Sequence, residues 1–209
     1  AAAFASNFSK RVSMKYGLLV VAAVALVAFC YMGYMRQSAE TVFAVFPLLA
    51  VGITPILGNY VDHKGKAATM LVVGSILLIF CHLTFAFVLP QFKDNAIGGV
   101  IIAYLTILVL GASFSLVPAS LWPSVPKLVD AKIIGSAYAL IFWIQNIGLW
   151  GVPTLIGVVL DKFCVTGVEN GTVLYDYTLP MCIFTGFAIL SLTVAFALKV
   201  ADRKFGYHL

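Results

Sequence analysis

Few groups capable of chemistry stand inside the long apolar runs of this chain, and those that do are neutral. Gln145 and Asn146 adjoin in the stretch Gly135-Ser-Ala-Tyr138-Ala-Leu-Ile-Phe142-Trp143-Ile-Gln145-Asn146-Ile-Gly148. His82 follows Cys81 in another run, and Ser113 sits in Gly111-Ala-Ser113-Phe. An imidazole can carry a proton or bind a metal, a serine becomes a nucleophile beside a base, and side-chain amides hydrogen bond a neighbouring helix or a polar solute. An intramembrane serine protease needs a serine and a histidine on separate spans. The last apolar run has no histidine and His82 stands alone among the run interiors, so the residues argue against an enzyme. Cys30, Cys81, Cys164 and Cys182 show no paired metal-ligand spacing, which implies free or buried thiols and no metal or cofactor.

These groups have to be positioned by elements suited to lipid. With 62% hydrophobic and 10% charged residues, the chain departs from a soluble globule, whose charged share is about a quarter. Its mean hydropathy is +1.05. At about 20 apolar residues per span, 209 residues accommodate six helices. They are expected at about 14–35, 41–61, 67–90, 97–118, 133–160 and 178–199, so that 14–200 is the transmembrane bundle, 1–13 a linker end and 201–209 a tail. The charged side chains then fall at or beyond the span ends. Lys10, Arg11, Lys15, Lys64, Lys66, Lys127, Lys132, Lys199, Arg203 and Lys204 gather on one side, against Arg36, Lys93 and Lys162 on the other. The positive-inside rule puts both termini and the Gly58–Lys66 loop in the cytoplasm. This flank bias accounts for the net charge of +5 without a nucleic-acid partner.

In chain order, the basic start followed by Gly17–Phe29 has the outline of a secretory signal, but no small-x-small cleavage site leads into a polar segment. Tyr31 and Tyr34 stand near the outer end of the first span, as interfacial aromatics or as lining of a solute path. Pro47 and Pro55 should kink the second span. His82 is a functional candidate as an intramembrane imidazole, or a neutral histidine bonded to a neighbour. Tyr104, Gly111 and Ser115 repeat at helical spacing on the fourth span, where small residues permit close packing. The segment Pro118-Ala-Ser-Leu-Trp122-Pro123-Ser-Val-Pro126-Lys127 is expected to leave the helix and turn at the cytoplasmic face. Gln145 and Asn146 fall near mid-bilayer, where an unmet amide costs several kcal/mol. They bond adjacent helices or face a wet cavity. Asn170-Gly171 between short apolar strands predicts a hairpin in Asp161–Thr178, and Asn170-Gly-Thr172 is a glycosylation sequon.

Gly58-Asn59-Tyr60-Val61-Asp62-His63-Lys64-Gly65-Lys66 is the charged cluster between two apolar runs of the first half. Gly65 can take the left-handed conformation that closes a helix, with Lys64 and Lys66 beside the exposed carbonyls. The pattern Gly-x-x-x-Asp-x-x-Gly-Lys resembles the signature loop of the major facilitator superfamily. A second similarity lies in Ser113–Asp161, whose Phe114-Ser-Leu-Val-Pro-Ala-Ser-Leu-Trp122-Pro-Ser-Val-Pro126, Gly135-Ser-Ala-Tyr138-Ala-Leu and Gln145-Asn146-x-Gly148 look like helices ten and eleven of the branch containing lysosomal dipeptide carriers and their bacterial relatives. Thr54-Pro55-Ile-Leu-Gly58-Asn-Tyr-Val-Asp62 is echoed 99 residues later by Pro153-Thr154-Leu-Ile-Gly157-Val-Val-Leu-Asp161. The copies end the second and fifth spans, and an offset of three spans turns them in opposite directions, as in a three-plus-three inverted repeat.

The resemblance implies an all-α integral membrane protein, the C-terminal six-helix half of a major facilitator fold, helices seven to twelve. It implies a secondary transporter moving a small polar solute by alternating access, with lipid and solute as partners and a preceding six-helix half. A membrane scaffold or accessory subunit is the alternative. Two departures are the lack of an N-terminal half and the short link near Tyr34–Glu40, where residues are expected to be missing. Within the family's cavity, Tyr31, Tyr34, Tyr104, Tyr138, Gln145 and Asn146 would contact solute, and His82 would move to an outer helix. Gly58, Asp62, Gly65 and Lys66 would form the conformational latch, with Asp62 near the amides of Ile133–Gly135. No Asp, Glu, Lys or Arg lies deep in a span, so facilitated diffusion, or coupling through the other half, is expected. Free cysteines and the Asn-Gly hairpin suit a bacterial inner membrane.

Overall fold

The computed structural model describes residues 39–92, 94–169, 171–207 and 209. Tyr31, Tyr34, Cys30 and the expected first span lie outside these residues. The described chain is almost wholly helical because its apolar runs leave no backbone group a partner in lipid except within a helix. Helix α1 spans Ala39–Lys64. Helix α2 spans Ala67–Leu83, and continues as a widened π turn at Thr84–Val88 and a tight turn at Leu89–Phe92. Helix α3 covers Ala96–Leu128, α4 Ile134–Phe163 and α5 Thr178–Phe205. Four described segments are long and apolar enough to cross a membrane: Ala67–Phe92, Ile97–Leu128, Ala131–Phe163 and Thr178–Phe205. In α1 the apolar stretch is the shorter Ala50–Val61.

Local chemistry sets the helix ends. Gly65 has φ 66°, and its N–H bonds the Val61 carbonyl at 2.8 Å, closing α1. Lys66 follows at φ 65°, and α2 starts at once, so the link is a two-residue reversal. The Asn95 side chain accepts from Gly98 N at 3.0 Å and caps α3. Gly206, at φ 68°, closes α5 on the Asp202 carbonyl. Between α4 and α5, Val165–Glu169 (β1) and Thr172–Tyr175 (β2) form the expected antiparallel hairpin, with Gly171 at φ 79° in its turn. Asn170, the acceptor residue of the sequon, is outside the described residues.

The expected turn at Pro118–Lys127 does not form: α3 continues through Pro118, Pro123 and Pro126 to Leu128. Proline's fixed φ is a helical φ, and each ring removes one N–H rather than forbidding the turn. In a membrane helix, neighbouring groups can meet the carbonyls so released. The reversal falls instead at Val129-Asp130, where Val129 is extended.

Helix α1 packs along α3, and α2 lies between α3 and α5. Small residues allow the approach: Gly74 and Ser75 on α2, and Gly111, Ser113, Ser115, Ala119 and Ser120 on α3, are buried. A Cβ built on Gly74 would stand 3.3 Å from both Leu116 Cβ and the Ser113 carbonyl oxygen. Phe46 meets Phe114 edge-on at 5.0 Å between α1 and α3. Ser75 Oγ donates to the Leu71 carbonyl and lies 2.9 Å from Ser191 Oγ of α5. Helix α4 stands apart, touching α3 and α5 sparsely, and Val159 is its one buried residue. At the Gly65 end, Leu209 turns back onto Val61, Ala67 and Ala68, and its N–H bonds Asp202 Oδ1 at 3.0 Å.

Candidate functional site

The residues singled out on α3 and α4 lie on two stripes that meet at one end. On α3, Tyr104, Gly111, Ser115 and Trp122 share a face, because eighteen residues make five full turns. On α4, Tyr138, Phe142 and Gln145 share another. The Trp122 indole lies 5.7 Å from the Tyr138 ring and 5.0 Å from the Phe142 ring, centroid to centroid. The Tyr138 hydroxyl donates to the Trp122 carbonyl oxygen at 3.1 Å. Beyond this cluster the two helices make little contact.

The stripes differ in what they offer. Gly111 and Ser115 are buried, and Ser115 Oγ donates to the Gly111 carbonyl, so both serve packing. Tyr104 is half-buried. Asn146 Nδ2 donates to the Phe142 carbonyl of its own helix at 2.8 Å, which meets part of its amide. Gln145 is exposed, as are Trp143 at 64% and Trp150 at 75%. His82 is half-buried on α2, stacked on Phe184 of α5 at 5.5 Å, with Nδ1 unpartnered among the described residues.

In the loop, the backbone of Gly65 and Lys66 is left-handed, and Lys66 is exposed. Nothing lies within 4 Å of a Cβ built on Gly58. Asp62 belongs to the last turn of α1, and its side chain is outside the described residues. On the opposite side, Asp161, the counterpart of Asp62 in the sequence echo, accepts a hydrogen bond from the Tyr175 hydroxyl of β2 at 3.2 Å. Partial desolvation of Tyr175, then this bond and the charge of Asp161, raise the phenol above its ordinary 10.0. Among the described residues, no three His, Cys, Asp or Glu side chains assemble into a metal-binding group.

Trp122 stands out only in the folded chain; in the sequence it is one member of a proline-rich end. Its five-turn spacing from Tyr104 is the signal that marks it.

Several curated proteins are similar to this chain. Over 129 residues, 62% of this chain, it is 28% identical to the lysosomal dipeptide transporter MFSD1 of Bos taurus. The Homo sapiens protein of that name is 26% identical over 130 residues, again 62% of this chain. The Mus musculus protein is 25% identical over 176 residues, or 84% of the chain. The chain is a relative of major facilitator transporters. It spans 25%, 26% and 33% of the length of these three transporters, respectively. No protein-family model matches, and no solved structure matches. The resemblance to lysosomal dipeptide carriers is thus found in named proteins, and these are transporters rather than enzymes. Four apolar membrane-length helices and such relatives make this an integral membrane protein.

Proposed function

We propose that this chain is the C-terminal half of a secondary transporter that moves a small polar solute, dipeptides foremost, by alternating access. The observation that carries the proposal is the similarity to dipeptide transporters over as much as 84% of this chain while it spans at most 33% of their length. A six-helix, three-plus-three inverted repeat and a preceding six-helix half belong to the same proposal, supported by the Asp62 and Asp161 echo. So does a cytoplasmic placement of the Gly65 reversal and both ends, supported by the cation bias. The relatives' name ties them to the lysosome and lends the bacterial inner membrane no support.

In this proposal, solute passes the side of α4 carrying Gln145 and Asn146, with Tyr104 on α3 and Tyr31 and Tyr34 contributing from the expected first span. Tyr138 borders that side with its hydroxyl already engaged. Neutral amides and phenols bind a zwitterionic or uncharged polar solute without a fixed counter-charge, and their desolvation cost is modest compared with that of a buried ion. Gly58, Asp62, Gly65 and Lys66 form the latch, whose rigid two-residue reversal fixes the end of α1 against the start of α2.

The test is uptake of labelled dipeptides by the full-length protein in liposomes. Saturable uptake that falls at least ten-fold in Gln145→Ala supports the proposal. A folded protein that moves no dipeptide and no other small polar solute refutes it. Asp62→Asn is expected to shift the inward/outward balance, read by labelling cysteines placed in the outer cavity; unchanged labelling argues against the latch.

A further inference from the structure

Tyr138 does more than line a face. Along α3, the carbonyl of Trp122 is the one that an N–H at position 126 would take, and position 126 is proline. The Tyr138 hydroxyl donates to that carbonyl, 3.1 Å away. The rings of Tyr138 and Phe142 flank the Trp122 indole, so the hydroxyl is held at the place where the backbone lacks its donor. Elsewhere α4 has little to hold it to α3, since Val159 is its one buried residue.

We propose that Tyr138 is a positioning residue, pinning α4 to α3 through the carbonyl that Pro126 deprives of its helix partner and so setting the direction in which Gln145 faces. Gln145 lies two turns from Tyr138 on the same side of α4, so rotation at the pin turns the amide with it. The pin is a property of these three residues alone, whereas its effect on a solute rests on the transport proposal. Pro126 is thereby a part of the device: it keeps the acceptor vacant for a side chain on another helix.

The prediction is an interaction between two substitutions. Tyr138→Phe keeps the ring and removes the donor, while Pro126→Ala returns an N–H to the Trp122 carbonyl. The full-length protein and the two single and one double variants are melted in detergent, with labelling of the buried thiols Cys81 and Cys164 as the readout. With Pro126 present, Tyr138→Phe is expected to shift the folded equilibrium about five-fold, the size of one net hydrogen bond, and to lower the midpoint by about 2–4 °C. In the Pro126→Ala background, the same change is expected to shift the midpoint by less than about 1 °C. An equal loss in both backgrounds, or none in either, overturns the pin. If Pro126→Ala does not fold, Pro126→Leu restores the same N–H.

Uptake by the same variants tests the aim of Gln145. Tyr138→Phe is expected to raise KM about five-fold with a smaller change in kcat, and the double variant to recover. In a protein that transports, a KM indifferent to Tyr138→Phe overturns the positioning of Gln145. If the unsubstituted protein transports nothing, the transport proposal fails, and the melting cycle still decides the pin.

Discussion

Gly74 sits where α2 and α3 approach closely. Any side chain there meets Leu116 and a backbone oxygen of Ser113 at 3.3 Å, and a carbonyl inside a helix cannot swing away. Gly74→Val is therefore expected to destabilise the bundle by about 1–3 kcal/mol through overpacking, seen as a lower melting midpoint in detergent. Gly186→Ala on α5, where nothing lies within 4 Å, serves as the comparison and should be neutral or slightly stabilising. At the hairpin, Tyr175 is held neutral by partial desolvation and by Asp161, so its folded pKa lies above its unfolded one. Its contribution is complete below pH about 10 and is lost as pH rises through the raised value. Tyr175→Phe should accordingly lose less stability than the unsubstituted protein between about pH 9 and 11, in paired melts. Residues such as these were legible to different degrees. The left-handed Gly65 followed from its place between a helix end and a lysine, and the Asn-Gly hairpin from its spacing. The bond of Tyr138 was not legible, because it depends on which helix faces which.

The helices show the same division. Apolar runs and their charged flanks reveal that spans exist, since lipid permits no other backbone there. What patterning did not reveal was the persistence of α3 through Pro118, Pro123 and Pro126, because local preference counted each proline as a stop. A helix that survives such losses is still weakened where they fall. Amide exchange is therefore expected to be faster over residues 119–128 of α3 than over residues 71–81 of α2, which carry no proline. Equal protection in the two stretches would mean that other groups fully replace the missing bonds. The π turn at Thr84–Val88 was likewise invisible in sequence; Thr84 Oγ1 bonds the Phe80 carbonyl there, beside Pro90 in the following turn.

In the described molecule, α1, α3, α2 and α5 form one packed body and α4 a lightly held neighbour. Composition announced the membrane but not this grouping, because lipid-facing and helix-facing residues are equally apolar. Gly111 and Ser115 are read from the sequence as packing sites, and they are buried; Gly74 joins them only in the fold, which decides which helix each meets. The hydroxyls within the bundle mostly bond their own helix: Thr106 to Ile102, Ser115 to Gly111, Ser124 to Ser120, Thr185 to Met181. A helix whose polar groups are met internally can enter a bilayer before its neighbours arrive, and assembly is then left to shape. Severing the chain at the Asp94 turn and producing the two parts together should thus give a complex that co-purifies, with Gly74→Val weakening it. Two parts that insert yet never associate would show that biogenesis here requires the unbroken chain, and that shape alone does not bring α2 to α3.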